Sequence, residues 1–418
     1  MERHKLAAIV AIGMLLRIVY SVAIHNQYCV ECASYQLGAE KILLGDLAFE
    51  DSFFMVRPPL FSLLVASLGM QSIVVTSVNI LLGTAIIPLA WFLARQLDFV
   101  PESALIAAFI VAIDPTSVRY SAQMIAEPLA NFFLVLAYIC MLLLKNAGGL
   151  RHVLIWGFLG GCCIALSALT RPAAYLFWIP MALWTVFARR KLRVLAALTL
   201  IFSGMLGTGL WRLHNAHFYD NSSYSTVGTW NLLYVRAASI MYHARGGGIE
   251  SVYETLARRV EARLGNDATD ITEDQQWNHF LDPSAQLQST MTDVALDVFR
   301  AYPLYYVLTI PVGLYRTLLW LDGMPLWIGT IWNAALLLLA GCGVFHLIRL
   351  RQFVEATFLL IPCVYFMTGT LLVISSWIDT RARTMFTPLL AIMAAYGVEH
   401  LLNRRRAASA SLSPPADS

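Results

Sequence analysis

The stretch Ile125–Leu144, IAEPLANFFLVLAYICMLLL, decides the fold. It runs about 20 residues, the length of helix that crosses the hydrocarbon core of a bilayer. Its one charge, Glu127, stands near its start, and Lys145 follows its end. The run is apolar on all sides, so it does not read as a strand of a transmembrane barrel, which alternates over about 10 residues.

Working outward, similar runs occur at 6–24, 73–94, 103–120, 152–170, 173–188, 192–212, 326–347, 354–376 and 385–402. Between them lie short charged clusters and one long polar segment. Across the 418 residues only 13% are charged and 58% are hydrophobic, with a mean hydropathy of +0.65. Soluble domains average about 25% charged, so a water-soluble enzyme is excluded and an all-α polytopic membrane protein is predicted. The net charge of +3 comes without a basic stripe interleaved with aromatics, so no nucleic-acid partner is expected. The partners expected at this stage are membrane lipids.

Lys and Arg in short loops set orientation. The basic start Arg3-His4-Lys5 precedes a run with no small-residue cleavage site after it, which reads as a retained helix rather than a signal peptide. With that N-terminus inside, Lys145, Arg151, Arg189-Arg190-Lys191 and Arg193 also fall inside, and seven spans leave the chain outside near residue 213. The segment 213–302 is acid-rich, as an extracytoplasmic segment allows. Placing Arg349, Arg351 and Arg404-Arg405-Arg406 inside needs three more spans. The stretch 303–321, broken by Pro311, is then expected to lie in the interface or re-enter; ten full spans are predicted, with eleven the alternative. The expected organisation is a membrane region 1–212 with an outer loop at 25–72, an extracytoplasmic lid 213–302, a second membrane region 303–402 and a cytoplasmic tail 403–418 without fixed structure.

Five polar constellations converge on the outer face of this topology. The first holds Cys29-Val30-Glu31-Cys32, Tyr35 and Lys41; Glu31 and Tyr35 share a helix face at four-residue spacing. The second is Arg57-Pro58-Pro59, where two prolines hold the preceding residue extended and so direct a guanidinium suited to gripping a phosphate. The third is Asp114-Pro115 with Glu127-Pro128-Leu129, the fourth Thr170-Arg171-Pro172, and the fifth Trp211 to Asn215. Each has a plainer reading: a solvated helix face, a headgroup anchor, a helix cap. Their joint placement is the argument, because ionisable groups at a bilayer tend to mark a substrate path. A carboxylate to accept a proton and arginines to meet a leaving phosphate are what transfer from an anionic lipid-linked donor requires.

In this order the motifs resemble those of membrane glycosyltransferases of the C-type fold, particularly the protein mannosyltransferase and lipid A aminoarabinose transferase family. The resemblance rests on Glu31 and Tyr35 with the helix 38–45, Arg57 before Pro-Pro-Leu, Glu127-Pro-Leu, Arg171-Pro172, Trp211 with Asn215, and Arg381 and Arg383 before Pro388. It departs in two places: the first acid is commonly Asp followed by another acid, and a large soluble C-terminal domain found in some relatives does not follow the last span. The resemblance implies a polyprenyl-phosphate sugar donor, inverting transfer at the outer face of a bacterial inner membrane, and a lipid, glycan or protein acceptor. It further implies Glu31 as base and Glu127 as a second catalytic residue that orients the acceptor or the base. Arg57, Arg381, Arg383 and Arg171 would hold the donor phosphate, with Tyr35, Lys41, Asp114, Trp211 and Asn215 about the substrates. No cofactor is expected. No metal is expected either: Cys29 and Cys32 form a C-x-x-C that a disulfide or two free thiols explain, with no second pair to complete four ligands. The competing readings are a transporter or flippase of lipid-linked sugars and an O-antigen-type polymerase or ligase.

Overall fold

The computed structural model describes residues 2–23, 30–188, 191–266, 275–320, 326–373 and 380–412, and every regular element among them is helical. The chain begins α1 (Glu2–Ala23), α2 (Val30–Leu43), α3 (Phe53–Val56), α4 (Leu60–Ser67), α5 (Ser72–Gln96), α6 (Pro101–Ile113), α7 (Pro115–Ser121) and α8 (Glu127–Asn146). It continues α9 (Leu150–Thr170), α10 (Trp178–Ala188), α11 (Arg193–Tyr219) and α12 (Val227–Trp230). A π-helical turn, Asn231–Ala237, leads into α13 (Ala238–Arg245), α14 (Ile249–Leu264), α15 (Gln275–Leu281), α16 (Ala285–Ala301) and α17 (Pro303–Leu318). The chain then runs through α18 (Leu326–Arg349), α19 (Phe353–Val373), a 3₁₀ stretch Thr380–Met385 and α20 (Thr387–Leu412).

Among the described residues, seven helices (α1, α5, α8, α9, α11, α18 and α19) are long and apolar enough to cross a bilayer, and the bent pair α6–α7 adds an eighth. The protein is thus an all-α polytopic membrane protein. The shorter α10 and the long α20 fall on the two remaining expected spans.

Two details differ from the sequence reading. The run 103–120 is not one straight span: α6 and α7 meet at 53°. Pro115 has no N–H to give the Val111 carbonyl, and a carbonyl freed in hydrocarbon must find another donor. Arg17 of α1, 1% exposed, supplies it. Its guanidinium donates to the carbonyls of Val111 (3.3 Å) and Ala112 (3.1 Å), to Gly13 of its own helix (2.8 Å) and to Ser121 Oγ (3.1 Å). Asp114 at the bend becomes the N-cap of α7, accepting from the Ser117 amide at 2.8 Å. The second difference is that α17 runs unbroken through Pro311, which lies on the helix's exposed side, as does Val307, whose carbonyl the proline leaves free. Its buried stripe is Thr309, Gly313 and Thr317, one every four residues.

Close packing carries the bundle, since lipid is as apolar as the helices and burial alone gives little drive within the membrane. α18 crosses α20 backbone to backbone: a β-carbon added at Gly343 would stand 2.0 Å from the Met393 carbonyl oxygen, and one at Gly397 would stand 2.1 Å from that of Leu339. Replacing Gly343 by Ala is expected to force these helices apart and lower stability by about 1–3 kcal/mol. An unchanged thermal melt of purified protein would show that the crossing relaxes without cost.

The helices α12–α16 form an insert with its own core of Leu233, Val252, Leu256, Val260, Leu287, Met291 and Val294. At its centre His279 lies between Tyr234 Oη and Glu261 Oε1, each at 2.6 Å. Burial works against the Glu261 carboxylate, but hydrogen bonds from Asn266, His279 and Gln275 outweigh it and hold that carboxyl below its ordinary range.

Candidate active site

The polar side chains singled out in the sequence gather at the end of the bundle where α7 and α9 finish and α8 and α20 begin. Glu127 opens α8, where the helix dipole favours a carboxylate. It is 1% exposed, and its Oε1 receives both Arg171 Nη1 and Arg381 Nε. Arg171 follows the last residue of α9, and its extended backbone precedes the 3₁₀ turn at Pro172. Arg381 comes from the 3₁₀ stretch before α20. One buried carboxylate therefore joins two guanidiniums from segments more than 200 residues apart. Their side chains remain 25% and 19% exposed, so a ligand can reach them.

Arg383, two residues on, does something different. It is fully buried and donates to Asp114 Oδ1 (2.9 Å), Thr116 Oγ1 (2.7 Å) and Asn333 Oδ1 (2.7 Å). Asp114, also fully buried, accepts in addition from Trp332 Nε1 at 3.1 Å. This pair locks the α6–α7 bend to α18 and to the 3₁₀ stretch. The structure does not bring either residue into the exposed group around Glu127.

Arg57, half-buried, and the buried Tyr35 form a second unit. Arg57 Nη1 donates to Tyr35 Oη at 3.1 Å while the guanidinium lies 4.9 Å from the ring centre. The ring itself is wedged edge-on against Phe61 at 4.7 Å. Lys41, on the same helix as Tyr35, is paired with Asp51. The backbone of Glu31 lies in α2, but its side chain is outside the described residues, as is Cys29; Cys32 is disulfide-bonded. Among the described residues no group of three or more His, Cys, Asp or Glu comes together as a metal site.

Trp211 and Asn215, one turn apart on α11, point at the chain that follows them. Trp211 Nε1 donates to the Tyr224 carbonyl at 3.2 Å, and Asn215 Nδ2 donates to the carbonyls of Ser223 (2.8 Å) and Tyr224 (3.2 Å). Tyr224 then stacks on Tyr175, at 4.4 Å between ring centres and 14° between planes, just past Arg171-Pro172. Burial, and Tyr175 beside it, raise the Tyr224 phenol well above its ordinary range, so it stays neutral.

Sequence reasoning missed Arg17 and Asn333. For Arg17 the signal was present: a charge in mid-span must be satisfied inside the bundle. With Ser121, Glu127, Asn131 and Thr384 it lines a small cavity beneath Glu127. Asn333 lies in an apolar run with nothing to mark its partner.

Residues 65–239 match the family described as dolichyl-phosphate-mannose-protein mannosyltransferase. No curated protein sequence matches the chain. Solved structures of the oligosaccharyltransferase of Archaeoglobus fulgidus share its fold. The apo form aligns with a TM-score of 0.59 at 14% identity, over 100% of this chain and 52% of that one. The complex with an inhibitory peptide and a dolichol-phosphate gives 0.57 at 14%, over 100% and 52%. A form tethered to an acceptor peptide gives 0.58 at 15%, over 96% and 50%. The chain thus spans about half the length of these structures.

Proposed function

From a GT-C fold and a resemblance to the protein mannosyltransferases, we propose that this chain is a membrane glycosyltransferase taking a sugar from a polyprenyl-phosphate-linked donor. The observation that carries the reading is the pairing of Arg171 and Arg381 on one buried carboxylate, with both guanidiniums still reachable, together with an Arg57 aimed by Tyr35. Arginines so held remain partly reachable, and the fork geometry of a guanidinium suits a phosphate.

The sugar is a hexose or pentose, and the acceptor a lipid, glycan or protein, met at the periplasmic face of a bacterial inner membrane. Glu31 takes the proton of the acceptor hydroxyl. The freed oxygen bonds to the anomeric carbon from the side opposite the phosphate, so the configuration inverts. The carbon–oxygen bond to phosphate breaks, and its electron pair leaves with the polyprenyl phosphate, whose growing charge Arg57, Arg171 and Arg381 meet. Glu127 holds the latter two. Asp114 and Arg383 keep the 3₁₀ stretch in register; Trp211 and Asn215 secure the loop at Tyr224.

Purified protein supplied with a polyprenyl-phosphate sugar should release polyprenyl phosphate, which a transporter of lipid-linked sugars would not. Glu31→Gln should lower transfer about 10²–10⁴-fold, the usual worth of a general base; undiminished transfer removes that assignment. Arg57→Ala should raise KM for the donor about tenfold or more with little change for the acceptor. Equal effects on both would argue against a phosphate role.

A further inference from the structure

Residues 221–230 run as a strap from the end of α11 into the insert, and their hydrogen bonds link three parts of the site. At the near end Asn221 Nδ2 donates to the Pro283 carbonyl of the insert at 2.7 Å, and at the far end Trp230 Nε1 donates to Gln276 O at 3.0 Å. In the middle the strap leaves the insert. Ser225 Oγ donates to the Val56 carbonyl at 2.6 Å, and the Thr226 amide to the Met55 carbonyl at 3.1 Å. These are carbonyls of the last turn of α3, which lack partners within so short a helix. Arg57 is the residue that ends that turn, with an extended backbone at φ −120° and ψ 106°. Its direction is thus set on one side by Pro58-Pro59 and on the other by two hydrogen bonds from the strap. The Tyr224 ring, next to Ser225, lies on Tyr175, so the same strap braces the turn that carries Arg171.

We propose that Ser225 is a positioning residue for donor binding, holding the turn that aims Arg57. This rests on the reading of Arg57 as a phosphate ligand. The Trp211 and Asn215 bonds to Ser223 and Tyr224 give the strap a fixed pivot on α11.

The test uses the full chain in nanodiscs, with undecaprenyl phosphate as the binding probe and transfer kinetics alongside. Ser225→Ala should weaken probe binding and raise donor KM about three- to tenfold, the worth of one neutral hydrogen bond, with kcat changed less than about twofold. Ser225→Thr, which keeps the hydroxyl, should restore the parent values. In an Arg57→Ala background Ser225→Ala should add nothing further. Additive effects of Ser225→Ala and Arg57→Ala, or failure of threonine to restore binding, would overturn the positioning role. If Arg57→Ala itself leaves probe binding unchanged, it is the phosphate reading that fails.

Discussion

Glu127→Gln is expected to lower kcat at least about a hundredfold, as loss of a preorganised electrostatic group in a dry site commonly does, while donor KM stays level or falls. The carboxylate shares its Oε1 between Arg171 and Arg381, so it sets both where they point and how much net positive charge they offer. Glutamine keeps a carbonyl acceptor but removes the charge. On the proposed reading, two guanidiniums then face the phosphate without this carboxylate's charge, and the leaving polyprenyl phosphate is bound more tightly than turnover tolerates. The signature is therefore tighter inhibition by free polyprenyl phosphate together with slower turnover. A variant whose kcat lies within tenfold of the parent, or whose donor KM rises as steeply as that of Arg57→Ala, would show that Glu127 is only a helix cap.

The second large effect is on the fold. Arg383→Met leaves the fully buried Asp114 carboxylate without its cation, and leaves Thr116 and Asn333 without the donor they share. Removing one partner of a buried ion pair costs about 3–5 kcal/mol, whereas removing both charges is often close to neutral. The single variant should lose most of its folded, monodisperse fraction on extraction. The double variant Asp114→Asn with Arg383→Met should recover part of it, because neither charge of that pair is left without the other. If the single variant melts with the parent, the pair is not what holds the bend.

Much of this architecture could be read from the sequence because a bilayer imposes a length. Apolar runs near 20 residues, bounded by Lys and Arg, needed no knowledge of packing, and α10 and α20 fall where such runs were expected. The site was readable only as a set. Arg57, Glu127, Arg171 and Arg381 stood out as charges beside apolar spans, but nothing local distinguishes Arg381, which a ligand can reach, from Arg383, which none can. Those two are two residues apart on a 3₁₀ stretch, and which one meets Glu127 depends on how α20 docks. Trp211 and Asn215 illustrate the same limit: their roles are decided by a loop that returns to them eight or more residues later. The bend at Asp114 was hidden for a different reason. A proline between two apolar stretches reads as a continuous span unless the donor that satisfies the freed carbonyl is known, and that donor, Arg17, comes from another helix.

The ion pairs at the site also impose an order of assembly. Glu127 precedes Arg381 by 254 residues and Asp114 precedes Arg383 by 269. At roughly 5–20 residues per second of synthesis, both acids wait about 10–50 s for these two cations, Glu127 with Arg171 as its one arginine partner of the two in the meantime. Throughout that interval Asp114 lacks the Arg383 guanidinium, and no arrangement of α1–α11 alone can present Arg171 and Arg381 together. The cluster proposed to meet the donor phosphate is therefore incomplete until α20 docks.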